Sequence, residues 1–352
     1  MKQDIQDMKQ TEPKRITIQS MTKTRTADVE ATTAQINRLA SIGCDIIRVA
    51  VPDIESADAI AKIKENITIP LVADIHFDHK LALRAIEAGA NKIRINPGNI
   101  GSHENVKAVA KACNNKNIPI RIGVNSGSLE KEILNKHCGV TPEAMVESTL
   151  NHVKLLNRYD FDNIWLSAKA SDVRLTVKTY KLLHEQTNYP LHLGITEAGT
   201  EYNGVIKSSM GIGALLLEGI GDTIRVSLTA EPEKEIEAAK SILKALGLRP
   251  GIDIISCPTC GRCKIDVIKI TNEFENYLSK SLIGNKNKEP DESITVAIMG
   301  CAVNGPGEAK QADFGIAGGD GEGIIFAKGE IIKKVPMERF GGELIKLITD
   351  NR

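Results

Sequence analysis

Short apolar runs alternate along the chain with longer stretches whose apolar residues recur at helical spacing. From Val29 to Ile42, for example, Ile36 and Leu39 share one helical face with Val29. Each apolar run is followed by such a stretch, which predicts parallel strands joined by helices. The predicted strands are Ile16–Ser20, Asp45–Val51, Pro70–Asp74, Lys92–Asn96, Pro119–Val124, Asn163–Ala168, Pro190–Thr196 and Asp222–Ser227.

This repeating unit determines the expected fold class. Eight strand–helix units in roughly 240 residues match the usual size of a closed (β/α)8 barrel of the TIM type. An open, doubly wound parallel sheet is the alternative, and eight units make it the less favoured one. We therefore expect an α/β chain that begins with a TIM-type barrel.

The pattern changes at Leu248–Gly251, where proline and glycine interrupt the last helical stretch. We expect residues 1–249 to form the barrel and residues 250–352 to form a small α+β domain. The elements expected in this domain are a helix at Lys264–Ile283, a polar loop at Gly284–Asp291, a strand at Ser293–Met299, a glycine-rich hairpin at Gly315–Lys328 and a helix at Met337–Thr349.

Composition argues against several classes of protein. The 352 residues carry 45 basic and 45 acidic side chains and only 3% aromatic residues, which argues against a nucleic-acid partner. No apolar run approaches the roughly 18 residues that span a bilayer, and the polar N-terminus lacks the apolar core of a secretory signal. We therefore expect a cytoplasmic protein without membrane contact, in which clustered cysteines serve metal or redox chemistry rather than disulfides.

Charged and amide residues occur at the ends of nearly all predicted strands. In a TIM barrel the active site lies at the carboxyl ends of the strands, so these side chains are expected to meet. Any single arginine there is more often part of a salt bridge, but four arginines and a lysine repel one another unless an anion binds, and guanidinium groups match phosphate oxygens. The expected guest is a small anion, best a diphosphate. The strand-end residues are Arg48, Asp74, His76, Arg94, Asn96, Arg121, Asn125, Lys169, Glu197, Arg225 and Ser227.

Two of these residues have an open role. Glu197 is either a general acid or base or the counter-charge of the neighbouring arginines. His76 is either a hydrogen-bond partner of the substrate or a packed side chain.

Cysteines form a second constellation near the C-terminus. Cys257 and Cys260 lie on one tight turn, and the segment Gly300–Glu308 adds Cys301 and a carboxylate. Three thiolates and one carboxylate indicate a metal centre with three firm ligands and one exchangeable ligand, as an iron–sulfur cluster accepts. Cys263 leaves a second possibility open, because with Cys257, Cys260 and Cys301 it completes a four-cysteine site for iron–sulfur or zinc.

With these motifs the chain closely resembles the bacterial (E)-4-hydroxy-3-methylbut-2-enyl diphosphate synthases in their two-domain form. The resemblance runs from Ile16 to about Gly319. The motifs that carry it are Gln19–Thr22, Val72–Phe77, Arg94–Gly101, Gly194–Gly199, Cys257–Cys260 and Gly300–Glu308.

The resemblance implies reductive ring-opening of 2-C-methyl-D-erythritol 2,4-cyclodiphosphate, with flavodoxin or ferredoxin as electron donor, a [4Fe–4S] cluster in the small domain and a homodimer. It implies that the cluster ligands are Cys257, Cys260, Cys301 and Glu308. It implies that the substrate-binding residues are Arg48, Arg94, Arg121, Asn125, Lys169, Arg225, Ser227 and, beside the cluster, Asn304. It also implies that Glu197 takes the acid/base role. The rival hypotheses are a zinc-stabilised barrel enzyme, such as an aldolase or a pterin-dependent transferase, and an iron–sulfur sensor.

Overall fold

A computed structural model describes residues 15–284, 292–301, 312–319 and 321–350. The expected site residues Asn304 and Glu308, and nearly all of the expected loop at Gly284–Asp291, lie outside these residues. The chain divides into two compact units, Met1–Leu248 and Arg249–Arg352.

The first unit is the predicted (β/α)8 barrel. Its strands pair in parallel in the order β6-β5-β4-β3-β2-β1-β8-β7, and a parallel bridge between Leu166 and Leu191 brings the two ends of this order together. The last two strands are shorter than predicted. The strands are β1 (Thr17–Met21), β2 (Ile46–Ala50), β3 (Leu71–Asp74), β4 (Lys92–Ile95), β5 (Ile120–Asn125), β6 (Ile164–Lys169), β7 (His192–Leu193) and β8 (Thr223–Ile224).

Polar residues cap most of the helices of the barrel. In most of these helices an Asp, Ser or Thr side chain accepts a hydrogen bond from an N–H of the first turn. These caps fix the residue at which each of the capped helices begins. The helices are α1 (Val29–Ser41), α2 (Ile54–Lys64), α3 (His79–Glu87), α4 (His103–Lys116), α5 (Lys131–Lys136), α6 (Pro142–Asn157), α7 (Val173–Gln186), α8 (Glu201–Leu216) and α9 (Pro232–Ala245).

The barrel strands separate an apolar layer from a polar interior. On β5, Ile120, Ile122 and Val124 belong to the main apolar core, whereas Arg121 points the other way and hydrogen-bonds to side chains of β1 and β7. The interior is therefore filled in large part by polar side chains. Those buried include Gln19, Asp74, Arg94, Arg121, Ser167, Lys169, His192 and Thr223.

The second unit is built on a five-stranded mixed sheet in the order β13-β12-β11-β10-β9. The first three strands along the chain are parallel, and the last two are antiparallel. The expected helix begins at Val267 rather than Lys264, since Asp266 accepts the N–H of Lys269 as a cap. Strands β9 and β13 were not anticipated. The elements are β9 (Ile252–Ser256), α10 (Val267–Gly284), β10 (Ile294–Met299), β11 (Phe314–Gly318), β12 (Glu322–Ala327), β13 (Glu330–Pro336) and α11 (Phe340–Asp350).

Helices α10 and α11 cover one face of this sheet, which we call the helix face. Val296 and Ile298 pack there with apolar residues of both helices, such as Phe274 and Leu344. The intervening residue Ala297 belongs to a separate cluster on the opposite face, with Met299, Ala317 and Phe326. Among the described residues, no helix is long and apolar enough to cross a membrane.

Candidate active site

Five basic side chains of the barrel strands form one electrostatically coupled group, which we call the cation cluster. Its members are Arg48, Arg94, Arg121, Lys169 and Arg225, all of them anticipated from the strand ends. Arg94 and Arg121 are register partners on neighbouring strands. Burial lowers the pKa of Arg48 well below its usual value, and the charge of Arg225 lowers it further. The barrel thus holds like charges close together away from water.

Asp74 is the carboxylate that partly compensates this charge. Its Oδ1 accepts a hydrogen bond from Nη1 of Arg94 at 3.0 Å, and its Oδ2 lies 3.7 Å from Nε of Arg48. Burial by itself would raise the pKa of Asp74, but Arg48, a hydrogen bond with His76 and Arg94 together hold it below its usual range. Asp74 is therefore an ionised counter-charge rather than a proton donor.

His76 contacts both Arg94 of the cation cluster and Asp74. Its Nε2 lies 2.8 Å from Nη1 of Arg94 and 3.4 Å from Oδ1 of Asp74, and its side chain is 46% exposed. It is therefore not a packed core residue, and it remains accessible at the strand ends. Phe77 beside it has a positive φ of 68° and is 74% exposed.

Arg121 links three strands across the barrel interior. Its Nη1 donates to Oε1 of Gln19 on β1 and, at 3.1 Å, to Nδ1 of His192 on β7. Burial and the charge of Arg94 lower the pKa of Arg121 to about 9, so it stays charged at neutral pH. Burial and the charge of Arg121 hold the pKa of His192 well below its usual value, so the neutral imidazole accepts the hydrogen bond.

Gln19 and His192 were not anticipated as site residues. Both lie on strands at a position whose side chain faces the interior. For His192, which lies between Leu191 and Leu193, a single polar residue in an apolar run was the available signal, whereas Gln19 lies beside Ser20 and had no such signal. Their pairing with Arg121 depends on barrel closure.

Glycines make room for two of the cations. A Cβ at Gly123 would overlap with the guanidinium of Arg94, and one at Gly194 would lie 2.6 Å from Nζ of Lys169. Lys169 is 8% exposed, and no acceptor for its ammonium group lies among the described residues. Burial, followed by the charges of Arg225 and Arg121, lowers its pKa well below the usual value.

Arg225 lies near a second buried carboxylate. Its Nε is 3.9 Å from Oε2 of Glu235 on α9, which accepts hydrogen bonds from Ser20 and from the backbone of Leu228. Glu235 was also not anticipated, because it lies inside a helix rather than at a strand end. It fixes the chain beyond β8 and only partly offsets the charge of Arg225.

Four buried hydrogen-bond donors at the site have no acceptor in the described part of the chain. They are Nε2 of Gln19, Nε of Arg121, Nε2 of His192 and Nε of Arg225. The nitrogen of His192 is a donor because its Nδ1 accepts from Arg121. Five cations against two contacting carboxylates, together with these donors, form a site that fits an anion with several oxygen atoms.

Asn125, Ser227 and Glu197 are the more accessible expected residues. The side chains of Asn125 and Ser227 are partly exposed and make no hydrogen bond within the described ranges. Glu197 is exposed, has a positive φ of 51° and forms no ion pair with any described residue. A role as counter-charge of the arginines therefore has no support among these contacts, and the acid/base role stays a prediction.

The expected cysteine ligands lie beyond the carboxyl ends of β9 and β10 in the second unit. Cys257 directly follows β9, and its N–H donates to the carbonyl of Ile298 on the parallel neighbour β10 at 3.0 Å. Cys301 follows β10 after one residue and is buried, whereas Cys260 is exposed. The turn between Cys260 and Cys263 closes with a backbone hydrogen bond of 2.9 Å.

These thiols fit an iron–sulfur cluster because thiolates are its usual ligands and because they follow the carboxyl ends of two neighbouring parallel strands. The described residues contain no three His, Cys, Asp or Glu side chains gathered around a single metal ion. The thiolates of a cluster bind separate iron atoms, so they need not converge on one point. Cys44 and Cys113, by contrast, are buried in the barrel, where burial raises the pKa of each thiol to about 12.

Comparison with known proteins gives one consistent family. A model of the GcpE TIM-barrel domain matches residues 2–240, and a model of the GcpE protein C-terminal domain matches residues 253–350. The chain is 61% identical over 333 residues to the 4-hydroxy-3-methylbut-2-en-1-yl diphosphate synthase (flavodoxin) of Caldicellulosiruptor saccharolyticus, covering 95% of this chain and 93% of the relative.

Further similarities are of two kinds. The protein of the same name from Clostridium perfringens is 59% identical over 335 residues, with 95% of this chain and 93% of the relative covered. Among solved structures, dihydropteroate synthase from Stenotrophomonas maltophilia aligns with a TM-score of 0.49 at 13% identity, covering 66% of this chain and 93% of its own.

Proposed function

The chain belongs to the GcpE family, and on this premise we propose that it converts 2-C-methyl-D-erythritol 2,4-cyclodiphosphate into (E)-4-hydroxy-3-methylbut-2-enyl diphosphate. Two electrons and two protons enter, the ring C–O bond breaks, and one hydroxyl leaves as water. The names of the curated relatives include flavodoxin, which supports reduced flavodoxin as the electron donor.

The excess positive charge inside the barrel is the observation that carries this proposal. The cation cluster contacts only Asp74 and Glu235 among the described carboxylates, and four buried donors there lack an acceptor. A cyclic diphosphate supplies both missing components, negative charge and phosphate oxygens, in a compact molecule. We therefore assign residues 1–249 to diphosphate binding.

The chain's own residues hold and orient this substrate. Arg94 is fixed by Asp74 and by the carbonyl of Gly123, so its guanidinium meets the phosphate without reorganisation. Lys169 has no acceptor in the described part of the protein, and an anion would provide one. Asn125 and Ser227 supply further polar contacts from the partly exposed strand ends. Glu197 is proposed to hold the proton that the departing hydroxyl takes up.

Residues 250–352 are assigned to a [4Fe–4S] cluster. Cys257, Cys260 and Cys301 would hold it through thiolates, with Glu308 as the fourth ligand and Asn304 nearby, both beyond the described residues. When bound, the cluster would supply the electrons for the reduction. A homodimer is also part of the proposal and is tested by sedimentation of the intact protein.

Anaerobic purification followed by a turnover assay tests the function. We expect a brown protein with broad visible absorption, stoichiometric iron and sulfide, and product formation from the cyclodiphosphate with reduced flavodoxin. Cys301→Ala should lose both the absorption and the activity, whereas Cys138→Ala, which removes an exposed thiol of the barrel, should retain both. A colourless zinc protein without turnover would overturn the proposal in favour of the zinc-stabilised barrel enzyme.

A further inference from the structure

Cys263 is the thiol that neither the barrel site nor the proposed ligand set uses. It lies three residues after Cys260, so spacing alone makes it a candidate ligand. Its side chain, however, packs with Ile254 and Ile265 against the helix face of the sheet. Its Sγ lies 3.1 Å from the carbonyl oxygen of Ile265 and donates a hydrogen bond to it.

Cys257 lies on the other side of the same sheet. It packs with Ala297 and Met299 in the cluster on the opposite face, as does its strand neighbour Ile255. Successive residues of a strand alternate between the faces, and Ile254 accordingly belongs to the helix face. The sheet thus separates the thiol of Cys257 from that of Cys263.

Gly300, which precedes Cys301, is held directly by the segment that carries Cys263. Its carbonyl accepts the N–H of Lys264 at 2.8 Å. A Cβ at Gly300 would overlap with Sγ of Cys263 and would lie 3.2 Å from Cγ2 of Val267. The thiol therefore fills the space beside the main chain of Gly300, on the helix face. The direction of this Cβ also shows that Gly300 faces Cys263.

From these contacts we propose that Cys263 is not a cluster ligand but a positioning residue. Its side chain packs against the main chain of Gly300 and so fixes where the segment carrying Cys301 leaves β10. The inference rests on the proposed cluster and deepens it, because it selects Cys257, Cys260 and Cys301 from the four thiols of this unit. Cys263, on the helix face, thus helps to position Cys301, the proposed ligand.

Removing single thiols separates a ligand from a positioning residue. We expect Cys263→Ala and Cys263→Ser, purified anaerobically, to keep the visible and electron paramagnetic resonance spectra of the unmodified protein, because the ligand set is unchanged. Cys263→Ala should bind somewhat less iron and sulfide, because Cys301 loses the packing that positions it. Cys301→Ala should lose the spectra together with the iron and sulfide, and Cys138→Ala is the matched control outside this unit. Iron loss in Cys263→Ala equal to that in Cys301→Ala, or an altered cluster spectrum in Cys263→Ser, would overturn the proposal.

A double variant tests the contact itself. The φ of Gly300 lies outside the left-handed region, so Gly300→Ala meets a steric obstacle rather than a backbone restriction. We expect it to lower the Tm of the cluster-free protein by roughly 5 °C, as overpacking does in a unit of this size, and to reduce iron content. Adding Cys263→Ala should restore most of both, because the remaining Cβ of residue 263 lies 3.4 Å away.

Failure of the inference and failure of the proposed function give different results. If Gly300→Ala is equally harmful with and without Cys263→Ala, the positioning contact is wrong while the cluster assignment stands. If the unmodified protein binds no iron at all, the proposed function fails. The Tm of the Gly300→Ala and double variants, measured without any cluster, then still decides whether Cys263 packs against Gly300.

Discussion

The barrel and the second unit place their expected functional residues in the same way but hold them differently. Both take them from neighbouring parallel strands, although Arg121 is the second residue of β5 rather than a residue at its carboxyl end. In the barrel, Arg121 and Lys169 are 2% and 8% exposed, and Arg121 is bonded across the interior to two other strands. In the second unit, Cys260 is exposed and Cys257 is partly exposed, and of the three expected thiol ligands Cys301 alone is buried.

The side chains of the two sites are therefore held in place by different causes. The barrel fold itself holds repelling charges in place, so the proposed anion site would be organised before an anion arrives and would gain free energy when one binds. The thiols lie beyond the carboxyl ends of β9 and β10, and in the proposed function metal binding would supply the free energy that gathers them, as in other metal sites that form on binding. The geometry of the barrel site thus comes from the fold alone, whereas that of the proposed cluster site would come from the fold together with its cofactor.

Among the changes that test this comparison, Asp74→Asn should have the largest effect on the free energy of unfolding, because it removes the charge that compensates Arg48 and Arg94. We expect a loss of about 3–5 kcal/mol in the free energy of unfolding, the usual result of breaking a buried ion pair. Urea unfolding at neutral pH measures it. Because the folded pKa of Asp74 is lowered, its stabilisation is present above the unfolded pKa and is lost as pH falls below it.

Glu197→Gln is the matched control, since it makes the same chemical change at an exposed carboxylate without an ion pair among the described residues. Its free energy of unfolding should stay within about 0.5 kcal/mol of the unmodified protein. Equal stability of Asp74→Asn and Glu197→Gln would show that the cation cluster needs no counter-charge, and the barrel site would not be organised as described.

Lys169→Met should have the next largest effect and the opposite sign. Lys169 is buried among like charges without a described acceptor, so an apolar side chain of similar length should stabilise the substrate-free protein by about 1–3 kcal/mol. Affinity for the cyclodiphosphate should fall roughly tenfold to hundredfold, since a charged hydrogen bond is lost. Thermal unfolding and titration calorimetry measure the two quantities.

The combination is the informative result. Higher stability with weaker binding means that the fold tolerates Lys169 for the sake of the ligand. Lower stability would instead identify Lys169 as a structural residue and would remove it from the proposed site.

His192→Phe should have a smaller effect, because it removes one of two acceptors of Arg121 while Gln19 remains. We expect a destabilisation of about 1 kcal/mol, because one of the two hydrogen bonds of Arg121 is lost while the other remains. His192→Asn offers a side-chain oxygen near the position of Nδ1 and should recover most of this loss in urea unfolding. Equal losses in both variants would mean that ring packing, not the hydrogen bond, is what matters at this position.

The fold and the strand-end residues followed from the sequence because both depend on local patterns. Alternating apolar runs and helical stretches gave the barrel, and the position of a residue in or just beyond the end of a run predicted that Arg48, Arg94 and Lys169 would lie at the same end. Strands β9 and β13 were missed in the second unit, where β13 is mostly exposed and has no apolar face of its own to reveal it.

The contacts within the site did not follow, because they depend on which strands face one another after closure. Gln19 and His192 meet Arg121 across the interior, and their sequence separations are 102 and 71 residues. Glu235 reaches the site from a helix rather than from a strand. Likewise, the regular spacing of Cys257, Cys260 and Cys263 did not show that Cys257 and Cys263 lie on opposite faces of the sheet.

Lys92 offers the smallest and most local test, at the opposite end of β4 from the active site. Its Nζ lies 3.4 Å from the ring centre of Trp165, the single tryptophan of the chain. Burial and the charge of Arg121 lower the pKa of Lys92 to about 7, against a smaller opposing effect of Asp222. Below this pH a cation lies over the indole, and above it a neutral amine, so tryptophan fluorescence should titrate near pH 7.

Lys92→Met should abolish that transition, and a transition that persists in this variant would assign it to another group. The linked effect on stability has a definite sign. The unfolded lysine keeps its ordinary pKa, so it binds more protons than the folded one between pH 7 and that value, and the free energy of unfolding should rise with pH across this range. If it does, charge is buried at the amino end of β4 as well as at the candidate site, and no charged side chain among the described residues of the second unit is buried in this way.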